Sequence, residues 1–550
     1  GVFPEQINQK IPALLPKYID VERERKQGFD MELYIKPVSE IYTQSTEVKR
    51  MVVIMSVLAF ALLFVAAMNY ILNSVSSLPI RARSVGVHKC NGASSKDIFN
   101  MFLFETAALF VVALVCMALL LFAFREYVAD MAAVPTLGTL LNAQTIWLPA
   151  IMILAIFILS ALLPARLFSV IPVTQVFRVS TSGKQGWKRS LLFIQFGGIA
   201  FVITLLVIVL LQYDRLMNND LGYDPENIVY APLNNMDDQK AAKLTAEFKK
   251  LPYVTATGLS SMDILSGYGG FPILDNEKNW LFTARQVNYD ADYLSLMKIP
   301  LLEGQPLKGD GDILVNESFV SKRGWTDAAI GKYIYDDEGN LKGKIVGVTR
   351  DFMVNSFFTP QLPVIMFGSD RMSYCNFTVR VSELTPEYLR EMNDKIAELF
   401  PNEDVGFTVL KTIIESQYEG TRHFRDGVFV ASIAILLITL MGLLGYITDE
   451  MHRRSKEIAI RKVNGATAPN ILRLLSKDVL ITAFPAILLG VIASRVVGES
   501  WLRQFADKIP LTVFIFISTA LLVLAIIWGC VILKSWNIAN ENPVRSIKNE

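Results

Sequence analysis

Seven apolar runs, at 51–72, 101–124, 146–168, 191–211, 428–447, 479–497 and 511–533, constrain this 550-residue chain more than any other feature. At ~1.5 Å per residue, about 20 helical residues cross a ~30 Å hydrocarbon core. The run MVVIMSVLAFALLFVAAMNYIL at 51–72 is apolar all round, so it cannot be one face of a soluble helix. Composition agrees, with 52% of residues hydrophobic and only 19% charged. Fifty-three Lys and Arg against 52 Asp and Glu leave a net charge of +1, which argues against a nucleic-acid partner and against an acidic tail. The expectation is an α-helical polytopic membrane protein of about seven spans with a substantial water-exposed part.

Cations in the short loops set the orientation. Arg81, Arg83, Lys89 and Lys96 follow the first run, and Arg166, Arg178, Lys184, Lys188 and Arg189 follow the third. Arg453, Arg454, Lys456, Arg461 and Lys462 follow the fifth, whereas the loop at 125–145 sets one Arg against Glu126 and Asp130. The alternation predicts residues 1–50 and 213–427 outside and the C-terminus inside. The chain opens at Gly1 with no targeting segment. An odd number of spans behind an external start predicts a further helix before residue 1, with Gly1 a truncation or processing point.

The chain repeats itself at an offset of 373. VGVHKCNGASSKDI begins at Val85 and IAIRKVNGATAPNI at Ile458, with Lys89/Lys462, Asn91/Asn464, Gly92/Gly465, Ala93/Ala466 and Ile98/Ile471 identical. Both copies fall in a cytoplasmic loop between two spans. A weaker echo, IPVT at 171–174 against NPVR at 542–545, follows the last span of each half. The predicted domains are a remnant of a first external domain (1–50), a three-helix membrane unit (51–178), a cytoplasmic linker (179–190), a leading span (191–212), a second external domain (213–427) and a second three-helix unit with its tail (428–550).

The repeated loop carries helix-boundary chemistry. Ser94 or Ser95 can cap a helix, and Ser94-x-x-Asp97 has capping-box spacing. In the second copy Thr467 is the predicted cap and Pro469 falls in the first turn, where a missing N–H is harmless. Asn-Gly before each cap supplies the freedom for a sharp turn. Each loop is therefore expected to present a short helix that breaks from the preceding span and docks on a two-fold partner. The plainer alternative is a juxtamembrane turn whose Lys and Arg meet lipid headgroups.

The segment RSKEIAIRKVNGAT at 454–467 resembles a hallmark of the MacB/FtsX-like permeases of ABC transporters. The first copy departs from it, with Ser84 where Glu is usual and His88 where Arg is usual. LGYDPEN at 221–227, VNESF at 315–319 and VGVTRDF at 346–352 are similar to the extracytoplasmic core of that family. The resemblance spans nearly the whole chain. It implies an α+β external domain of the MacB core type in the periplasm, a bacterial inner-membrane location, and two ABC ATPase subunits as partners, with a periplasmic adaptor or outer-membrane partner as a further option. Closure of the ATPases would push on Lys89, Asn91, Gly92 and Ala93 in one half and on Glu457, Arg461, Lys462, Gly465 and Ala466 in the other. Arg and Lys would pair with acids on the motor, and Gly and Ala would permit close approach.

Between the fourth and fifth spans the chain turns polar. NIVYAPL, FTARQVN, KIVGVTRDF, LPVIMFG, NFTVRVS and VGFTVLK read as strands, and DDQKAAKLTAEFKKL and TPEYLREMNDKIAELF as amphipathic helices. Together they predict an α+β domain in two lobes, with a mobile loop at 267–272.

No G-x-x-x-x-G-K-[ST] occurs, so ATP hydrolysis is assigned to another polypeptide. No metal site is expected from His88, His423, His452, Cys90 and Cys116, and no cofactor. Cys375 is the only cysteine placed outside, which excludes a disulfide within the external domain. No acid or base is read at mid-span, which disfavours an ion-coupled carrier. The expected function is a permease subunit that couples a partner's ATP hydrolysis to export or extraction of an antimicrobial, peptide or lipoprotein. The alternative is a non-transporting regulator that activates a periplasmic partner.

Overall fold

In the computed structural model the residues described are 4–26, 31–38, 46–76, 78–132, 134–142, 145–169, 186–234, 237–265, 269–275, 277, 279–325, 328–336, 338–354, 356, 358–368, 374–401 and 404–539. The echo at 171–174 and 542–545, most of the linker and the start of the 267–272 loop lie outside them. The chain divides into two compact units, one of residues 1–45, 215–419 and 504–508, the other of 46–214, 420–503 and 509–550. Residues 1–45 fall in the same unit as residues 215–419.

Among the described residues seven helices are long and apolar enough to cross a membrane, within Val48–Leu72, Ser95–Ala123, Trp147–Arg166, Lys188–Asn218, Glu419–Met451, Ala468–Leu502 and Val513–Trp536. They match the seven apolar runs one for one. Glu105 qualifies the expectation of charge-free spans, since it stands in the first half of helix Ser95–Ala123. Small residues bring the helices close. A Cβ on Gly490 would lie 2.2 Å from the Gly197 carbonyl oxygen, so helices Gly186–Asn218 and Ala468–Leu502 meet backbone to backbone. Some buried polar groups find partners across helices. Asn69 donates to the Ile438 carbonyl (2.7 Å), and the Thr204 and Thr519 hydroxyls lie 3.2 Å apart. In a medium without water such groups must be satisfied internally.

The external unit is built on an eleven-stranded sheet. Its strands are β1 (Ile228–Asn234), β2 (Val254–Ser260), β3 (Gly269–Leu274), β4 (Trp280–Tyr289), β5 (Leu301–Gly304), β6 (Asp312–Asn316), β7 (Tyr333–Tyr335), β8 (Leu341–Thr349), β9 (Val364–Gly368), β10 (Tyr374–Val381) and β11 (Thr408–Val409). The order is β11-β1-β10-β2-β4-β9-β6-β8-β5, with β3 on β4 and β7 on β8. Only Ser260 against Tyr289 joins β2 to β4, so the sheet pinches there into two lobes. Each lobe has its own core. In one, Val229, Phe377 and Val379 pack against Leu244 and Phe248 of helix Asp238–Phe248 and Met392 and Ile396 of helix Pro386–Leu399. In the other, Phe282, Ile313, Ile345 and Ile365 surround Phe319 of helix Glu317–Arg323.

Five of the six strands expected from sequence form as such. The sixth, VGFTVLK, yields only the two residues of β11 before helix Leu410–Gln417 begins. Leu410 and Ile414, one turn apart, are both buried, and that helical spacing overrides the alternating pattern. The loop expected at 267–272 becomes β3 from Gly269 onward, paired with β4 from Gly269↔Gln286.

The three external segments of the resemblance meet in space. Gly222 (φ +76°) lies so close to Asp351 that a Cβ would sit 2.4 Å from its carbonyl oxygen, and Met353 N–H donates to the Leu221 carbonyl (2.8 Å). Asp351 in turn accepts from the Ser318 N–H (2.9 Å) and hydroxyl (2.6 Å). Buried Arg380 fastens the first segment to β10 by donating to the Asp224 carboxylate (3.1 Å) and to the Asp224 and Glu226 carbonyls (2.7 and 3.1 Å).

Candidate functional site

The two repeated loops fold into the same corner. A short helix breaks from the preceding span, Leu78–Cys90 after Thr46–Ser76 and Ser455–Val463 after Glu419–Arg453. It ends at the Asn-Gly pair, with Gly92 at φ +93° and Gly465 at φ +86°. Ala93 N–H donates to the His88 carbonyl (3.0 Å), and Ala466 N–H to the Arg461 carbonyl (2.9 Å). These are the six-to-one bonds of a Schellman C-cap, in which the left-handed position strongly favours glycine. Ser94 or Thr467 then opens the next long helix, Ser95–Ala123 or Ala468–Leu502.

The capping chemistry therefore serves the following span, while the short helix expected of each loop lies before the turn. A Cβ on Gly92 or Gly465 would meet nothing within 4 Å. Backbone conformation, rather than crowding inside the chain, requires these two glycines. Buried apolar residues pin both corners at matching positions, Val85 and Ile98 in the first and Ile458 and Ile471 in the second. Ala93 packs on the first of these clusters.

Side-chain chemistry differs between the corners. Ser94 N–H and hydroxyl donate to the Asp97 carboxylate (2.8 and 2.7 Å), and Asp97 N–H returns a bond to the Ser94 hydroxyl (3.3 Å), a complete capping box. Thr467 has the extended backbone of a cap but makes no side-chain cap bond. Pro469 removes one of the two N–H groups such a side chain could reach, and the other, Asn470 N–H, donates to the Thr467 carbonyl (3.0 Å).

Several residues expected to face a partner are engaged within the chain. Lys89 Nζ donates to the Ser169 carbonyl (2.9 Å) at the C-terminal end of helix Trp147–Ser169, a favourable place for a cation. Arg461 pairs with Glu457 one turn away at 2.7 Å, both about half exposed. Asn91, Gly92, Asn464 and Gly465 are exposed, and the Lys462 side chain lies outside the described residues.

An ionic clamp that the sequence reading passed over sits where the fifth span breaks into the short helix. Arg454 bonds both Glu450 on the helix before it and Asp478 on helix Ala468–Leu502. Arg189 also reaches Asp478 (3.3 Å), and Lys188 pairs with Asp449 (2.7 Å), which adds helix Gly186–Asn218. Burial alone would lower the Arg454 pKa, but the carboxylates of Glu450 and Asp478 outweigh it and raise it. Asp478, near the start of its helix, is held by the guanidiniums of Arg454 and Arg189. The available signals were the Glu450–Arg454 spacing of four and the same 373 offset, which sets Arg81 against Arg454 and Glu105 against Asp478. No group of three metal-ligating residues occurs among the described residues.

The C-terminal domain of FtsX-like permeases matches twice, at residues 56–173 and 429–543, and each match contains one corner. No curated protein matches the chain. Among solved structures the chain is similar to the periplasmic region of MacB from Actinobacillus actinomycetemcomitans, at 13% identity and a TM-score of 0.27 over 37% of this chain and 97% of that one. It is also similar to a domain of a putative permease protein from Porphyromonas gingivalis, at 15% identity and a TM-score of 0.26 over 34% of this chain and 90% of that one. A third likeness is to the extracellular domain of the ABC-type transporter YknZ from Gram-positive bacteria, at 10% identity and a TM-score of 0.24 over 33% of this chain and 99% of that one. The chain therefore carries two copies of the C-terminal domain of FtsX-like permeases, at the two places where its sequence repeats.

Proposed function

We propose that this chain is the permease subunit of an ATP-driven machine of the bacterial inner membrane, moved by two separate ATPase subunits that each grip one repeated corner. Their closure is passed to the external domain, which exports or extracts a periplasmic substrate of the antimicrobial, peptide or lipoprotein class. The observation that carries this reading is the recurrence of one corner geometry, helix, left-handed glycine and helix start, inside both matched permease domains and on loops the cation pattern places in the cytoplasm.

A separate motor fits the absence of a nucleotide-binding G-x-x-x-x-G-K-[ST] in this sequence. A mechanical relay fits helix Glu419–Arg453, whose 35 residues run unbroken for about 52 Å before the second corner. The Arg454 clamp gives force on helix Ser455–Val463 a stiff path, because it holds carboxylates on two different long helices. Segment 504–508 offers a further path, since Asp507 accepts a two-pronged bond from Arg215 (2.7–3.0 Å) and one from Asn219 (2.6 Å) within the external unit.

A charge swap tests the docking. Glu457→Arg combined with Arg461→Glu keeps an ion pair within the helix but reverses the charges offered to a partner. We expect the swapped protein to fold normally, while co-purification and stimulation of its ATPase fall about tenfold, one factor of ~1.4 kcal/mol. Stimulation unchanged by the swap and by Gly465→Trp would remove the docking claim.

A further inference from the structure

We propose that the groove between helices Ala468–Leu502 and Val513–Ala539 is a binding site for an anionic phospholipid of the cytoplasmic leaflet. The groove encloses about 1220 Å³ within the membrane unit. At its cytoplasmic mouth stand Arg461, Arg473 and Lys477, and below them the walls are Ile481, Phe484 and Trp528. Arg473, Lys477, Ile481 and Phe484 follow one another at intervals of four and three, which stacks them along one face of the helix. The eleven residue steps from Arg473 to Phe484 rise ~16 Å, about half of a ~30 Å hydrocarbon core. A headgroup held at Arg473 would thus lay an acyl chain along one leaflet's depth of apolar wall.

Lipid-facing apolar residues alone are ordinary in a membrane helix, so charge carries the argument. Among the described residues no acid lines the groove, and Arg473 and Lys477 are exposed and make no ion pair. The first half provides an internal control. At the same offset of 373, Asn100 stands for Arg473 and Phe104 for Lys477, in a helix that starts at the equivalent position. The corner and its long helix therefore form without these two cations. A basic mouth over an apolar trough between spanning helices suits a phosphate headgroup with its acyl chain. The inference shares with the docking proposal the cytoplasmic placement of these loops and Arg461 at the mouth of the groove. Its test uses Arg473 and Lys477, which the docking claim does not need, and contains no ATPase.

The whole protein would be reconstituted in phosphatidylcholine vesicles containing brominated phosphatidylglycerol or, in parallel, brominated phosphatidylcholine. Quenching of Trp528 is read as the difference between the protein and its Trp528→Phe variant. We expect phosphatidylglycerol to be enriched at Trp528 over its bulk fraction, and each of Arg473→Gln and Lys477→Gln to reduce that enrichment about fivefold. Arg473→Lys, which keeps the charge, should retain it, as should Arg503→Gln at the far end of the same helix. Equal quenching by the two lipids, or enrichment that survives the double Gln variant, would overturn the proposal. Displacement of the lipid by millimolar inorganic phosphate would assign the cations to a free anion and overturn it as well.

Discussion

The two corners share a backbone and differ in the bonds that their side chains make. Both have a left-handed glycine, a six-to-one C-cap bond and a buried apolar residue on each side of the turn. The first fixes its following helix with the Ser94–Asp97 box and ties Lys89 to the end of the neighbouring span. The second relies on Pro469, an exposed Glu457–Arg461 pair and the clamp on Arg454. Two sets of side chains thus reach one geometry, so the geometry does not dictate the charges. In the second copy Glu450 and Asp449, which replace Ser77 and Ser76 at the same offset, bind one element to another, while Glu457 and Arg461, which replace Ser84 and His88, add a pair within the short helix. This asymmetry predicts that one corner is braced against load more strongly than the other.

The largest expected effect comes from cutting that brace. Arg454→Leu takes from the buried Glu450 the guanidinium it bonds and leaves Asp478 only the more distant Arg189 (3.3 Å). Breaking one side of such a pair costs about 3 kcal/mol, read as a lower melting temperature of the purified protein in detergent. Adding Glu450→Gln and Asp478→Asn should recover much of the loss, since the penalty arises from stranded charges rather than from lost packing. Arg81→Leu, the matching change in the first half, should cost less, because Ser77 stands where Glu450 does. Equal losses from the two would end the claim of unequal bracing.

The turn glycines test what is common to the corners. An added methyl group meets open space at both, so Gly92→Ala and Gly465→Ala should each lose only the left-handed penalty, about 1–2 kcal/mol, and should match one another. Asn at either position should lose less, since it tolerates that conformation better than Ala. A Gly465→Ala protein with this modest stability loss but abolished ATPase stimulation would show that a partner approaches where the chain itself leaves room.

These comparisons also show what the sequence reveals and what it hides. Spans were legible because a run apolar on every side has few other places to go, and the corner was legible because it occurs twice. The division of the external sheet into two lobes followed from the order of its strands and helices. β11 was overcalled because Val405, Phe407 and Val409 alternate while Leu410 and Ile414 already keep a helical beat. Roles for single charges were the hardest to read. Lys89 and Arg461 look alike as loop cations, yet one bonds a helix-end carbonyl and the other its own neighbour. Asp478 gives no local sign that its partners are 24 and 289 residues earlier in the chain. Such pairs are set by helix packing, which only the folded chain provides.

The smallest effect discriminates most finely between the two helix starts. Ser94→Ala removes a hydroxyl that both donates to and accepts from its box partner, leaving the Asp97 carboxylate with only the Ser94 N–H. Loss of such a cap costs about 1 kcal/mol. Thr467→Ala removes a hydroxyl that caps nothing, and the proline two residues later already sets the backbone for a first helical turn. Its cost should be no more than a few tenths of a kcal/mol. Chemical-denaturant titration of the two variants beside their parent resolves that difference. The order Ser94→Ala worse than Thr467→Ala is required if the first start is held by side-chain bonds and the second by proline. The reverse order would mean that Thr467 gains its bond only when a partner draws the corner tight, and the resting second corner would then be the strained one.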